Sequence, residues 1–118
     1  MKSELDREYW RRFITLIIHC KKEEMLEELL QLFLTMNERE YLISRYQIIE
    51  SLLTTEQTQR DIAKNLNVSI TKITDGSKAV QIISESLKEF LHQEMSEKRN
   101  NVKKSSGKAL SKGKSQRD

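Results

Sequence analysis

The sequence predicts an all-α fold. Its 118 residues include no proline and only three glycines, which leaves few residues suited to tight β-hairpins. Apolar side chains recur at three- and four-residue steps along most of the chain, the period of a helix with one buried face. Hydroxyl residues stand just before several of these stretches. In Ser3-Glu4-Leu5-Asp6 and Thr35-Met36-Asn37-Glu38 an acid follows three positions later, the form of a capping box.

The first helix opens at Ser3 and carries Leu5, Tyr9, Phe13, Leu16, Ile17 and Cys20 along one stripe. Trp10 and Ile18 widen that stripe beyond what a surface helix needs. Lys21 and Lys22 suit its C-terminal end, where the helix dipole favours cations. A second helix follows, with Met25, Leu26, Leu29, Leu30 and Phe33 as its expected buried face. Thr35 opens a third, long helix bearing Tyr41, Leu42, Tyr46, Ile49, Leu52 and Leu53. Thr58-Gln59-Arg60-Asp61 opens a short helix containing Ile62, Ala63 and Leu66. Ser69 caps a second short helix, which Gly76 is expected to end in the left-handed conformation. From about Ala79 a last amphipathic helix runs through Val80, Ile83, Leu87, Phe90, Leu91 and Met95. These six helices show more apolar surface than a monomer of this size readily hides. Homodimerisation through the N-terminal helices and the last helix is the simplest outlet.

The net charge of +3 conceals an asymmetry. From Glu97 onward there are eight basic residues and two acids, a net +6, so residues 1–96 carry −3. Val102 and Leu110 are the only large aliphatic residues past Asn101. A segment so poor in apolar surface cannot offset its ordering entropy, so residues 1–96 are expected to form the domain and residues 97–118 a disordered basic tail. That tail reads either as an arm that touches phosphates or as a solvating appendage.

Several function classes drop out. No apolar run approaches the ~18–20 residues needed to span a bilayer, and acids occupy the place of a basic signal-peptide n-region. A cytoplasmic protein with no membrane partner is therefore expected. The single cysteine, Cys20, excludes an internal disulfide framework and a cysteine-based zinc site. His19 and Cys20 are adjacent, about 100° apart on a helix, and cannot form a nucleophile–base pair. His92 reads as a surface histidine. Glu23, Glu24, Glu27 and Glu28 read as a solvated face rather than a metal patch. With no glycine-rich phosphate loop, no catalytic residue, metal or resident cofactor is expected, and the chain is not read as an enzyme.

Residues 59–78 have the spacing of a helix-turn-helix. Ile62, Leu66, Val68, Ile70 and Ile73 supply the apolar set, and small Ala63 sits where two helices must cross closely. Asn67 falls where the sharp turn needs a positive φ, a region that asparagine tolerates. The face left free carries Ser69, Thr71, Lys72, Thr74 and Asp75, with Gln59, Arg60 and Lys64 beside them. Their chemistry suits duplex DNA. Thr58, Gln59 and the helix N-terminal amides can meet phosphates. Arg60 can pair bidentately with guanine, and Thr71 and Thr74 can contact a base edge or thymine methyl. The expected DNA-contacting set is Thr58, Gln59, Arg60, Lys64, Ser69, Ile70, Thr71, Lys72 and Thr74. Residues 57–79 hold four basic side chains and two acids, whereas residues 23–40 hold six acids and one arginine. The competing reading is an αα corner with only a packing role.

Residues 34–60, LTMNEREYLISRYQIIESLLTTEQTQR, resemble the tryptophan repressor family. The resemblance continues through Ile73-Thr74-Asp75-Gly76-Ser77, and Leu87-Lys88-Glu89-Phe90-Leu91 is similar to that family's last helix. It covers roughly residues 8–93, and the tail has no counterpart. The resemblance implies an intertwined, six-helix homodimer with two reading heads on operator DNA, repressing transcription when a small ligand, L-tryptophan, is bound.

The corepressor site implied by the resemblance falls on Thr35, Arg45 and Asp75. Arg45 matches an arginine that lies against the indole, and Thr35 a threonine near the ligand. Asp75 instead replaces an arginine that flanks the ring and meets the carboxylate. Lys72 replaces a threonine, and Ala79 a serine that helps hold the amino group. A carboxylate beside the ligand carboxylate is repulsive, and Arg→Asp also loses a planar stacking surface. The expected effector is therefore L-tryptophan, a replacement amino acid held through Lys72 and Asp75, or none, with Asp75 paired to Arg45 in its place. The alternative function is a helical dimer acting as an antitoxin-like or sigma-like protein-interaction module.

Overall fold

The computed structural model describes the backbone over residues 3–112 and the side chains over residues 3–100. Six helices follow in order: α1 Glu4–His19, α2 Glu23–Phe33, α3 Met36–Thr54, α4 Gln59–Leu66, α5 Ile70–Gln81 and α6 Glu85–Lys112. Among the described residues there is no strand. The all-α expectation holds. No described helix is long and apolar enough to cross a membrane.

The caps form where the hydroxyls predict them. Ser3 Oγ accepts from the Asp6 amide at 3.1 Å. At the start of α3 the exchange is reciprocal: Thr35 Oγ1 accepts from Glu38 N at 3.1 Å, and Glu38 Oε1 accepts from Thr35 N at 2.8 Å. Two orphan amides are thereby satisfied at once.

The chain forms two compact units, residues 1–42 and 43–118. In the first, α1 and α2 contain no buried residue. Their predicted inner faces are present but open. Leu26, Leu29 and Leu30 are half-buried, while Trp10, Met25 and Phe33 are at least half exposed. Phe13 meets Phe33 edge-on at 5.1 Å and Trp10 at 6.0 Å. Among the described residues these rings are left only partly covered.

The second unit has a small core. Ile48 of α3, Ile62 of α4 and Ile73 of α5 are buried together, with Leu52, Ala63, Leu66 and Val68 packed around them. Met95 of α6 is also buried.

Two boundaries differ from the sequence expectation. Gly76 does not end α5 but lies inside it, buried, because the helix must pass Ile48 closely there. The last helix does not begin near Ala79; α5 continues to Gln81, and Ser84 caps α6 by accepting from Leu87 N at 3.1 Å.

Helical backbone also continues past Ser96, the expected domain end, to Lys112. The stretch contains no proline, and Arg99 Nη1 reaches Glu50 Oε1 of α3 at 3.5 Å, which ties the extension to the body. The last part of the expected tail, residues 113–118, lies outside the described residues.

Candidate nucleic-acid interface

Local chemistry builds two short helices joined by a tight turn. Thr58 Oγ1 caps α4 by accepting from the Asp61 amide at 3.1 Å. At the other end Asn67 adopts φ 57°, ψ 49°, the left-handed conformation, and its amide reaches the Ala63 and Lys64 carbonyls. Val68 N donates to Ala63 O at 3.0 Å, so the turn takes up the carbonyls that α4 leaves open. Ser69 Oγ then caps α5, accepting from Lys72 N at 3.3 Å. A positive φ at Asn67 was the predicted requirement of the turn, and Asn67 is the one non-glycine among the described residues that shows it.

Packing fixes which face of this pair stays outside. Ile62 is 1% exposed and Ile73 0%, so each short helix is held by one fully buried isoleucine against Ile48. Thr74 adds a polar tie. Its Oγ1 donates toward Ile70 O at 3.0 Å and lies 3.4 Å from Gln59 Oε1, which links α5 to the first turn of α4.

Of the residues predicted to meet DNA, Thr58, Gln59, Arg60, Lys64, Ser69, Ile70, Thr71 and Lys72 are exposed. Thr74 is half-buried and joined to Gln59. Ile70 needs a correction to its second role. It was counted with the apolar packing set, yet it is 48% exposed at the first position of α5 and belongs to the outer face. Helical periodicity cannot settle such a residue, because the first turn projects beyond the helix it packs on. Among the described residues no ion pair involves Arg60, Lys64 or Lys72; Arg60 and Lys72 stand in the first turns of α4 and α5, and Lys64 in the last turn of α4.

Sequence reasoning missed the ties at the entrance to α4. Asn65 Nδ2 donates to Gln57 Oε1, and Gln57 Nε2 donates to Thr55 Oγ1. These bonds brace the connection that presents Thr58 and Gln59. No periodic signal marks them, since they join polar residues eight and two positions apart.

The residues predicted for a corepressor fall in both units. Thr35 serves as the N-cap of α3 in the first unit. In the second unit Arg45 is half-buried and Asp75 exposed, and no nitrogen–oxygen contact within 4.0 Å joins them. The anticipated Arg45–Asp75 ion pair is thus not formed. An exposed carboxylate gains at most ~1 kcal/mol from such a pair and keeps its water instead. An open groove of about 560 Å³ between α3 and α6 is lined by Leu52, Leu53, Glu85, Lys88, Glu89, His92 and Gln93, and includes neither Arg45 nor Asp75.

Comparisons with known proteins identify the family. A family model described as Trp repressor protein matches residues 8–95. A Trp operon repressor homolog of Chlamydia trachomatis serovar D is 45% identical over 86 residues, 73% of this chain and 92% of the relative. One from Chlamydia caviae is 41% identical over 91 residues, covering 77% and 90% of the two chains. One from Vibrio vulnificus is 36% identical over 84 residues, covering 71% and 82%. Matched over most of its helical body by that family and by these relatives, the chain belongs to the Trp repressor protein family, a family of transcriptional repressors.

Proposed function

We propose that this protein represses transcription by binding operator DNA as a homodimer, with α4–turn–α5 acting as a helix-turn-helix. The observation that carries this reading is the division of α5 into two sides. Ile73 and Gly76 are buried, while Ser69, Ile70, Thr71 and Lys72 stand exposed at its N-terminal end. An N-terminus so exposed can enter a major groove, its amides and Ser69 meeting phosphates while Thr71 and Lys72 reach base edges. Arg60 and Lys64 on α4 lie available for the backbone or for guanine.

The dimer answers the open apolar surface. Trp10, Ile18, Leu32 and Phe90 are 50%, 61%, 77% and 59% exposed in one chain, far more than a stable monomer leaves in water. Twofold pairing would cover them and set two α5 helices side by side. Helix-turn-helix dimers, among which the Trp repressor is a standard case, read half-sites one helical turn apart, ~34 Å.

For the effector we favour a ligand other than L-tryptophan, or none. Asp75 is exposed, lacks an ion-pair partner among the described residues, and would repel a carboxylate placed beside it.

The deciding experiment is fluorescence anisotropy on duplexes from the protein's own upstream region, over a range of salt. Tight binding that prefers one duplex and weakens steeply with salt supports the reading. Binding indifferent to salt and sequence, with capture of a protein partner instead, would replace it with the interaction-module reading.

A further inference from the structure

We infer that the C-terminal part of α6, from Lys98 to Lys112, is a second polyanion-binding element that lies along the phosphate backbone of duplex DNA. This inference rests on the DNA-binding reading above and names a further contact for it. The family match ends at residue 95, whereas α6 continues without a break to Lys112. The extension is therefore an addition to the matched body, built as a continuation of its last helix. At 1.5 Å per residue it carries the backbone roughly 24 Å beyond Ser96.

Composition determines what such a rod can bind. Residues 98–112 include Lys98, Arg99, Lys103, Lys104, Lys108 and Lys112 and no acid. Lys104, Lys108 and Lys112 follow one another at four-residue steps, the spacing that stacks positions along one helix face. Arg99 Nη1 lies 3.5 Å from Glu50 Oε1, a contact at the base of the extension. Apolar content is low, with only Val102 and Leu110 as large aliphatics. That is too little to hold an amphipathic helix in a bilayer or against an apolar protein groove. What remains is a helical segment whose sequence sets a lysine at every fourth position from 104 to 112. Duplex DNA, with one phosphate charge per ~1.7 Å of axis, is the matching linear polyanion. A lysine is suited to this as a point charge that needs no base-specific geometry.

The test uses the full chain and the triple variant K104Q/K108Q/K112Q on three probes: the upstream duplex, a mixed-sequence duplex, and phosphatidylglycerol-containing vesicles. The triple variant is expected to bind both duplexes more weakly by the same factor. Its log–log salt slope should be shallower by about 2.7 per chain, ~0.9 for each lost phosphate contact. K104R/K108R/K112R keeps the charge and should keep the slope, which separates loss of contact from loss of helix. An unchanged slope on the mixed-sequence duplex would overturn the inference. So would a loss confined to the upstream duplex, or vesicle binding that depends on these lysines while duplex binding does not. Should wild-type protein show no preference between duplexes, the operator reading fails, and the mixed-sequence slope still decides the role of α6.

Discussion

Gly76 lies so close to Ile48 that a Cβ built on it would stand 2.9 Å from Ile48 Cγ2 and 3.5 Å from Leu52 Cδ1. This approach is what lets α5 settle on α3 while its N-terminal end stays exposed. Ile48 is 4% exposed and β-branched, so its methyl group has little freedom to move aside.

Gly76→Ala should therefore destabilise the protein despite the better helix propensity of alanine. Overpacking costs ~1–3 kcal/mol and propensity returns up to ~1, leaving a net loss of about 1 kcal/mol. Ile48→Leu removes the β-branch, so the same glycine substitution should cost less in that background. Urea denaturation at one fixed protein concentration measures both. A Gly76→Ala variant more stable than the parent would show that the contact relaxes freely.

Asn67 holds a positive φ with a side chain that tolerates it. Asn67→Gly should be neutral or stabilising by up to ~1 kcal/mol, and Asn67→Ala destabilising by about 1. Asn67→Val should be worse still. Thermal midpoints order the three, and an alanine variant as stable as the glycine variant would argue that the turn has another conformation.

Tyr46 gives a pH signature. Partial burial, then the charges of Glu50 and Glu94, raise its pKa above the 10.0 usual for a phenol. The folded state thus keeps the phenol proton that the unfolded chain gives up first. Stability from this source is complete below about pH 10 and is lost as pH rises through the higher folded value. Tyr46→Phe should flatten the alkaline limb of the stability curve and leave the neutral region unchanged. An unaltered alkaline limb would assign that dependence to other groups.

Arg60 distinguishes base reading from backbone attachment. If it contacts guanine, Arg60→Ala should cost ~1–3 kcal/mol on the preferred duplex and relax selection at one base pair. An equal loss on every duplex, with a shallower salt slope, would mark it as a phosphate contact instead. Anisotropy titrations on a set of singly substituted duplexes read the difference.

L-Tryptophan is expected to bind weakly or not at all by calorimetry, and Asp75→Arg should strengthen that binding by at least about tenfold. The exchange turns a repulsive carboxylate into a cation with a planar stacking surface. Tight binding by the unaltered protein, with enhanced affinity for the upstream duplex, would reverse our view of Asp75.

Much of this molecule was legible along the chain because its signals are local. Ser3, Thr35, Thr58 and Ser69 cap helices through bonds to amides three residues away, and Asn67 is set by its own φ. Such features need no distant partner, so sequence determined the starts of α1, α3, α4 and α5, the turn and most of the outward polar set on α4 and α5. Gly76 was misread for the complementary reason. A glycine near a helix end looks like a terminator, and only the position of Ile48, 28 residues earlier, shows that it is a point of contact. Local composition gives no sign either of the contact between Arg99 and Glu50, 49 positions apart. Side chains remote in sequence decide close packing and long-range ion pairs, and those were settled by tertiary structure alone.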